Sequence, residues 1–202
     1  MNIYYIGGSP CSGKSTIAQI LSERYHLHYF KVDDYLDSYT EMGALANRAI
    51  CSKLGSMNAE ETWMRDPVVQ CEEELAYYQE IFDYIKEDLK KSEGNCIITE
   101  GAAYLPELMK ESNIPSHHYL SVTPAKAFQI SHYKEREWVP YVLKECADKE
   151  KAFANWMERD VLFAKAVQEQ CKTCGYNGII NDGTVRVSKL VEQVAAWFEL
   201  EQ

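Results

Sequence analysis

Gly8-Ser9-Pro10-Cys11-Ser12-Gly13-Lys14-Ser15 is the stretch on which the fold turns. Two glycines, a lysine and a hydroxyl residue stand in it at the offsets of a phosphate-binding loop. The flanks agree. The apolar run Ile3 to Ile6 stops at Gly7-Gly8, and a helical pattern through Ile17, Ile20 and Leu21 follows, so the motif lies between a strand and a helix. Glycines let such a loop wrap with its amide N–H groups pointing inward, and the helix that follows adds its positive end. The expected anion-binding set is Gly8, Ser9, Cys11, Ser12, Gly13, Lys14, Ser15 and Thr16. Lys14 would bridge the outer phosphates of a polyphosphate, and the Ser15 hydroxyl would ligate Mg²⁺.

Outward from the motif the chain alternates short apolar runs with helical patterns. Tyr29 to Val32 reads as a second strand ending at Asp33-Asp34, Asn95 to Thr99 as a third stopped by Glu100-Gly101, His118 to Val122 as a fourth, and Tyr176 to Ile180 as a fifth. Between the second and third, Pro67 to Lys91 carries Leu75, Tyr78, Ile81, Phe82, Ile85 and Leu89 on one face, with Asp66-Pro67 as N-cap and first helical residue. Ala125 to Lys172 is helical in pattern, with breaks expected near Val139-Pro140 and Ala147-Asp148, and Val187 to Leu200 reads as a terminal amphipathic helix. Near-continuous apolar strands separated by helices indicate a parallel sheet covered on both faces.

Composition fits one globular domain. At 202 residues a folded chain buries about 70% of its extended surface. The 46% apolar and 26% charged content excludes a disordered or collagen-like chain. With 21 bases against 31 acids the net charge is −10, so a general nucleic-acid binder is not expected, although a local basic pocket for a small anion is compatible with it. No apolar run approaches the roughly 20 residues that cross a bilayer, and Met1 to Ile6 lacks the features of a signal peptide. The expectation is a cytoplasmic monomer or homodimer with no membrane partner and reduced thiols. Cys171-Lys172-Thr173-Cys174 has metal-ligand spacing but no second pair, so a zinc site is not expected.

On the motif and this layout, the sequence resembles the P-loop kinases of the adenylate-kinase-like type, a group that includes nucleotide, shikimate, gluconate and chloramphenicol kinases. The resemblance implies an α/β fold, a P-loop NTPase three-layer α/β/α sandwich. Its five-stranded parallel sheet would have the order 2-3-1-4-5, with a helical lid at about 134–158 and an acceptor-binding helical insert at about 35–91, in a single domain over 1–202. It also implies ATP with Mg²⁺ and transfer of the terminal phosphoryl group to a small acceptor. In open parallel sheets the reacting groups gather at the carboxyl ends of the strands. Asp33 aligns with the family's acceptor-contacting aspartate, Asp34 is the alternative, and plain helix capping is the bland reading of either. Glu100 is placed to hold the Mg²⁺ hydration shell or the acceptor, or is an ordinary strand end. Arg136 and Arg159 lie where the family clamps phosphates, and each has neighbouring acids that would pair with it instead. The turn Asn181-Asp182-Gly183-Thr184 falls where the group passes the adenine base.

Within the insert, Tyr35, Tyr39 and Trp63 would stack on a ring or pack the long helix, and Arg48 and Arg65 would bind an anionic group on the acceptor. The glycine, hydrophobic residue and arginine with which nucleoside monophosphate kinases hold their substrate are not evident after Asp33. The expected activity is therefore an ATP- and Mg²⁺-dependent kinase acting on a hydroxyl of a metabolite, coenzyme precursor or antibiotic. A nucleoside or nucleotide kinase is the alternative, and a nucleotide-binding regulatory NTPase without transfer is the second. No guanine-reading Asn-Lys-x-Asp sequence supports a GTPase switch.

Overall fold

The computed structural model describes residues 2–200. The apolar run ahead of the loop forms β1 (Asn2–Gly8), which lies between β3 (Cys96–Glu100) and β4 (Tyr119–Pro124). With β2 (His28–Lys31) and β5 (Asn177–Asn181) at the edges, the sheet is five-stranded and parallel with order β2-β3-β1-β4-β5. Ile3 sits opposite Ile97, and Ile6 opposite both Glu100 and Leu120. All five strands point their carboxyl ends the same way, so β1's loop, Glu100 and the turn after β5 converge at one end of the sheet.

The period of two along β1 divides the core. Tyr4 and Ile6 pack with Ile98, Leu120 and Val122 beneath α1 (Lys14–Tyr25) and α10 (Val187–Trp197), while Tyr5 joins Phe30, Ile97 and Tyr119 on the other face. That second face is covered by α5 (Pro67–Lys91), α6 (Pro106–Glu111) and α9 (Lys149–Cys174). The helices start and stop where local chemistry dictates. Asp66 accepts a hydrogen bond from the Val68 amide at 2.8 Å and Pro67 opens α5; Asp148 accepts from Lys151 at 2.9 Å and opens α9, which ends at Gly175 in the left-handed region.

Several boundaries differ from the sequence reading. β2 stops at Lys31, and Val32 to Tyr35 coil into a 3-10 turn, so Asp33 and Asp34 sit on a turn rather than at the end of an extended run. The Lys31–Asp34 ion pair, 3.2 Å across one turn, favours that coil. Glu100 belongs to β3, because the ladder to Lys31 and Ile6 continues through it. The stretch after β2 is three short helices, α2 (Leu36–Leu45), α3 (Ala49–Ser56) and α4 (Ala59–Trp63). After α7 (Lys126–Lys134) the helix breaks just ahead of Val139-Pro140, as expected, and Pro140 sits in the first turn of the short α8 (Val139–Val142), where proline is suited. The non-helical connections lie at 135–138 and 143–148, and residues 149–158, expected within the lid, are the first turns of α9. Among the described residues, no helix is long and apolar enough to cross a membrane. All seven cysteines are free, and the Cys171 thiol donates to the Ser121 hydroxyl at 3.1 Å.

Candidate active site

The loop between β1 and α1 is wound by three residues of positive φ: Gly8 at 123°, Cys11 at 62° and Gly13 at 93°. Gly8 is required twice over, since a Cβ there would lie 1.8 Å from the Val122 carbonyl oxygen of the adjacent strand. Among the described residues, the amides of Cys11, Ser12 and Gly13 donate to no backbone carbonyl, and the buried hydroxyls of Ser9 and Ser12 have no hydrogen-bond partner. Buried polar groups are rarely left this way, and several together around one concavity are the chemistry of an anion cradle. Lys14, only 7% exposed, folds its ammonium back to donate to the Ser9 carbonyl at 2.9 Å. The loop is braced by Asn181 at the end of β5, whose amide donates to the Ser12 carbonyl at 3.0 Å while its oxygen accepts from Gly183 at 3.1 Å. The turn 181–184 is thereby tied directly to the loop.

Glu100 is 1% exposed. The Tyr29 hydroxyl donates to its Oε1 at 3.0 Å, and Oε2 has no hydrogen-bond partner. Burial pushes this carboxyl up; the positive charge of Lys14 opposes that and the negative charge of Asp33 adds to it, so Glu100 lies within the fields of both. A buried carboxylate oxygen with no donor, next to the Ser15 hydroxyl, is a hard oxygen pair of the kind that suits Mg²⁺ or its water shell. Asp33 is exposed and in no ion pair among the described residues, whereas Asp34 is held by Lys31.

The helical segment after α7 reaches the loop through Arg136, whose Nη2 donates to the Cys11 thiol sulfur at 3.5 Å. The guanidinium lies 5.1 Å from the Tyr133 ring centre and 5.4 Å from that of Trp138, an aromatic seat for a cation with one face toward the loop. Burial pushes the Cys11 thiol up and Arg136 works against that. Arg159 is placed differently. It is ion-paired with Glu74 on α5 and with Asp160, whose Oδ1 lies 2.7 Å from its Nε, and it covers the Trp63 ring at 5.2 Å. Trp63 in turn stacks on Trp156 at 4.4 Å, so α4, α5 and α9 meet around this arginine. Of the two acids beside it in sequence only Asp160 pairs with it; Glu158 pairs with Lys126, and the second partner, Glu74, comes from α5.

Of the two insert arginines, Arg65 is bound to Glu73, which also takes Lys53, in the first turns of α5. Arg48 is not brought to the site. It pairs with Asp83 at 3.8 Å and lies on Tyr84 at 5.3 Å, some 16 residues along α5 and thus about 24 Å from that helix's start at 1.5 Å per residue. Tyr35 stacks on Phe30 at 5.0 Å and Tyr39 on Tyr35 at 5.9 Å, so these rings pack the insert onto β2.

Sequence reading passed over Tyr29, Glu74 and the burial of Asp160. A signal existed for the last two. Glu74 falls on the same stripe as Tyr78, Ile81 and Ile85, and Asp160 on that of Trp156, Phe163 and Val167; an acid in an apolar stripe marks a buried charge. Asp160 is fully buried, with Arg159 Nε 2.7 Å from its Oδ1 and the Tyr133 phenol beside it, and neither oxygen has a hydrogen bond of good geometry. Burial pushes its carboxyl up from 3.8 to about 6, against the pull of Arg159. Across that window the folded chain keeps a proton that the unfolded chain has released, so this group's contribution to stability falls as pH rises. The Asp160→Asn variant is therefore expected to gain stability relative to the native chain between about pH 4 and about pH 6, read from paired denaturant titrations. Glu73, Glu80 and Asp83, all held low, give the opposite slope but give it to both proteins, and parallel profiles would rule out a raised Asp160.

The sequence matches no described protein family and no curated protein. Solved structures do match. An uncharacterized protein from Eubacterium ventriosum aligns over all of both chains with 15% identity and a TM-score of 0.52. A Thermus thermophilus protein aligns over all of this chain and 98% of its own, with 16% identity and a TM-score of 0.54. A chain from Chloroflexus aurantiacus, presumed to be a kinase, aligns at 14% identity with a TM-score of 0.41, too low to carry weight. At these identities the first two share the fold, a parallel three-layer α/β/α domain, and nothing finer.

Proposed function

We propose that this chain is a kinase that uses ATP and Mg²⁺ to phosphorylate a hydroxyl of a small molecule. The observation that carries the proposal is the concentration of unpartnered groups at one end of the sheet. The loop amides, the Ser9 and Ser12 hydroxyls and Glu100 Oε2 all lie around Lys14, and Arg136 stands over the same loop. Gathered around one ammonium, these groups fit a polyphosphate and its cation. The nucleotide supplies the transferable phosphoryl group, and Ser15 and Glu100 would hold the magnesium ion that partners it.

In this reading Asp33 receives the proton as the acceptor oxygen bonds to phosphorus and the bond to the ADP oxygen breaks. Lys14 exchanges its Ser9 carbonyl for a phosphate oxygen, which leaves the loop free to close around the charge. Arg136, seated on two rings and already touching the loop, adds positive charge where it develops. Arg159 acts through Glu74 and Asp160 to hold α5 and α9 together at the site's rim. Asn181 positions the loop.

Calorimetric titration of ATP in the presence of Mg²⁺ tests the binding half, with saturable heat expected. ADP release measured with pooled hydroxyl compounds tests the transfer half. Release that rises with acceptor supports the kinase, release indifferent to acceptor would favour an NTPase, and binding without turnover would favour a regulatory module.

A further inference from the structure

The two arginines expected to clamp phosphates are held in opposite ways. Arg159 is ion-paired with Glu74 and Asp160, so its charge is largely neutralised before any ligand arrives. Arg136 is in no ion pair among the described residues, although Glu135 and Glu137 flank it. It rests instead against the Tyr133 and Trp138 rings, 5.1 Å and 5.4 Å away, with Nη2 donating to Cys11 of the loop at 3.5 Å. A ring holds a guanidinium through its quadrupole and leaves the full positive charge for a ligand, which an acidic partner would not. Residues 135–138 are a non-helical connection, so packing of the side chain, not a helix, fixes where this charge sits.

The seat is itself supported from the insert. Tyr133 lies 5.1 Å and Trp138 5.8 Å from Trp156 on α9, and Trp156 stacks on Trp63 at 4.4 Å with the ring planes 21° apart. The Arg159 guanidinium lies 5.2 Å from the Trp63 ring, so four rings run from the cation at the loop to the one tied to α5. Trp63 belongs to α4, and α4 is fastened to the segment expected to form the lid. Ala59, Trp63 and Met64 pack, together with Cys11 of the loop, against the buried cluster around Tyr133 and Trp156. The Glu60 carboxylate accepts from the Ala147 amide at 2.8 Å, and the Asn155 side chain donates to the carbonyls of Trp63 at 3.0 Å and Arg65 at 3.2 Å. Resting on the kinase reading, we propose that Trp63 is a positioning residue for phosphate binding: from the insert it buttresses the rings that keep Arg136 over the loop. Without it Trp156 loses its stacking partner, Tyr133 and Trp138 gain freedom, and the nucleotide must order the arginine at a cost in affinity. The insert expected to hold the acceptor is thereby joined to the nucleotide's cation through one side chain.

The test is a double-mutant cycle on the full chain, with the dissociation constant for ATP and Mg²⁺ read by calorimetry and folding read by a thermal melt. Arg136→Ala alone is expected to weaken binding by at least about tenfold. Trp63→Ala is expected to weaken it by about fivefold, and Trp63→Phe, which keeps a ring against Trp156, by less than about twofold. In the Arg136→Ala background Trp63→Ala should add less than about twofold, because its effect on the nucleotide passes through that cation. A ring that merely supported the fold would lower the melt in both backgrounds and leave the cycle additive. Should Trp63→Ala not fold, Asn155→Ala, which keeps the ring and removes both hydrogen bonds to α4 and its end, takes its place in the cycle with an expected loss of about threefold. The inference is overturned if the cycle is additive, or if the variant binds ATP as the native chain does. Absence of ATP binding by the native chain strikes the kinase reading, and this inference falls with it; native binding with an additive cycle strikes this inference alone.

Discussion

Acceptor-dependent ADP release by the Lys14→Ala variant is expected to fall by roughly 10²- to 10³-fold, with the melting temperature lowered by only a few degrees. The asymmetry follows from what Lys14 does in each state. In the free protein its ammonium makes one hydrogen bond, to the Ser9 carbonyl at 2.9 Å, and a bond of that kind contributes about 1 to 2 kcal/mol. During transfer it would be the positive charge closest to the phosphates on the loop side, in a site from which water is largely excluded, and losing such a group costs about 3 to 4 kcal/mol of transition-state stabilisation. Turnover and a thermal melt on the same preparation separate the two effects. Activity within about threefold of the native chain would remove the loop from the chemistry, whatever its shape. A variant that loses activity only because it no longer folds would show it in the melt.

How much of this was legible beforehand depends on the range of the forces involved. The loop, α5 and the sheet were readable because each is set locally: glycines where φ must be positive, Asp66-Pro67 where a helix must start, apolar runs where strands are buried on both faces. The placement of Asp33 and Glu100 at the carboxyl ends of β2 and β3 was readable from the apolar runs that precede them. What the sequence concealed was partnership over distance. Arg159 has two acids beside it in sequence, yet its other partner is Glu74, 85 residues away across the α5–α9 contact. Arg48 looked available for a ligand because nothing near it is acidic, but helix packing brings it to Asp83. Charged pairs depend on which helices face each other, which a single sequence encodes only through the whole fold. The boundary errors have a different origin, since a 3-10 turn and a strand end compete within a fraction of a kcal/mol and the Lys31–Asp34 pair decides between them only once the chain has folded.

The 3-10 turn also sharpens the choice between the two aspartates. With Asp34 turned toward Lys31 at 3.2 Å, Asp33 is the one of the two whose charge is felt by Glu100 and Tyr78, while Tyr29 feels both. Asp33→Asn is therefore expected to lower the rate of acceptor phosphorylation by about 10²- to 10⁴-fold, the range for loss of a positioned general base, while the dissociation constant for ATP with Mg²⁺ stays within about twofold. Nucleotide affinity is spared because Asp33 lies outside the loop and removing a negative charge near phosphates does not weaken their binding. Asp34→Asn should change turnover by less than about threefold, since a half-exposed ion pair with Lys31 is worth little. Single-turnover phosphorylation measured beside calorimetric ATP binding gives both quantities for each variant. If Asp34→Asn fails and Asp33→Asn does not, the base is one residue further along the turn. If both variants keep full rate, transfer proceeds without a carboxylate from this turn, and Glu100, the nearest remaining acid in that field, would have to be tested in its place.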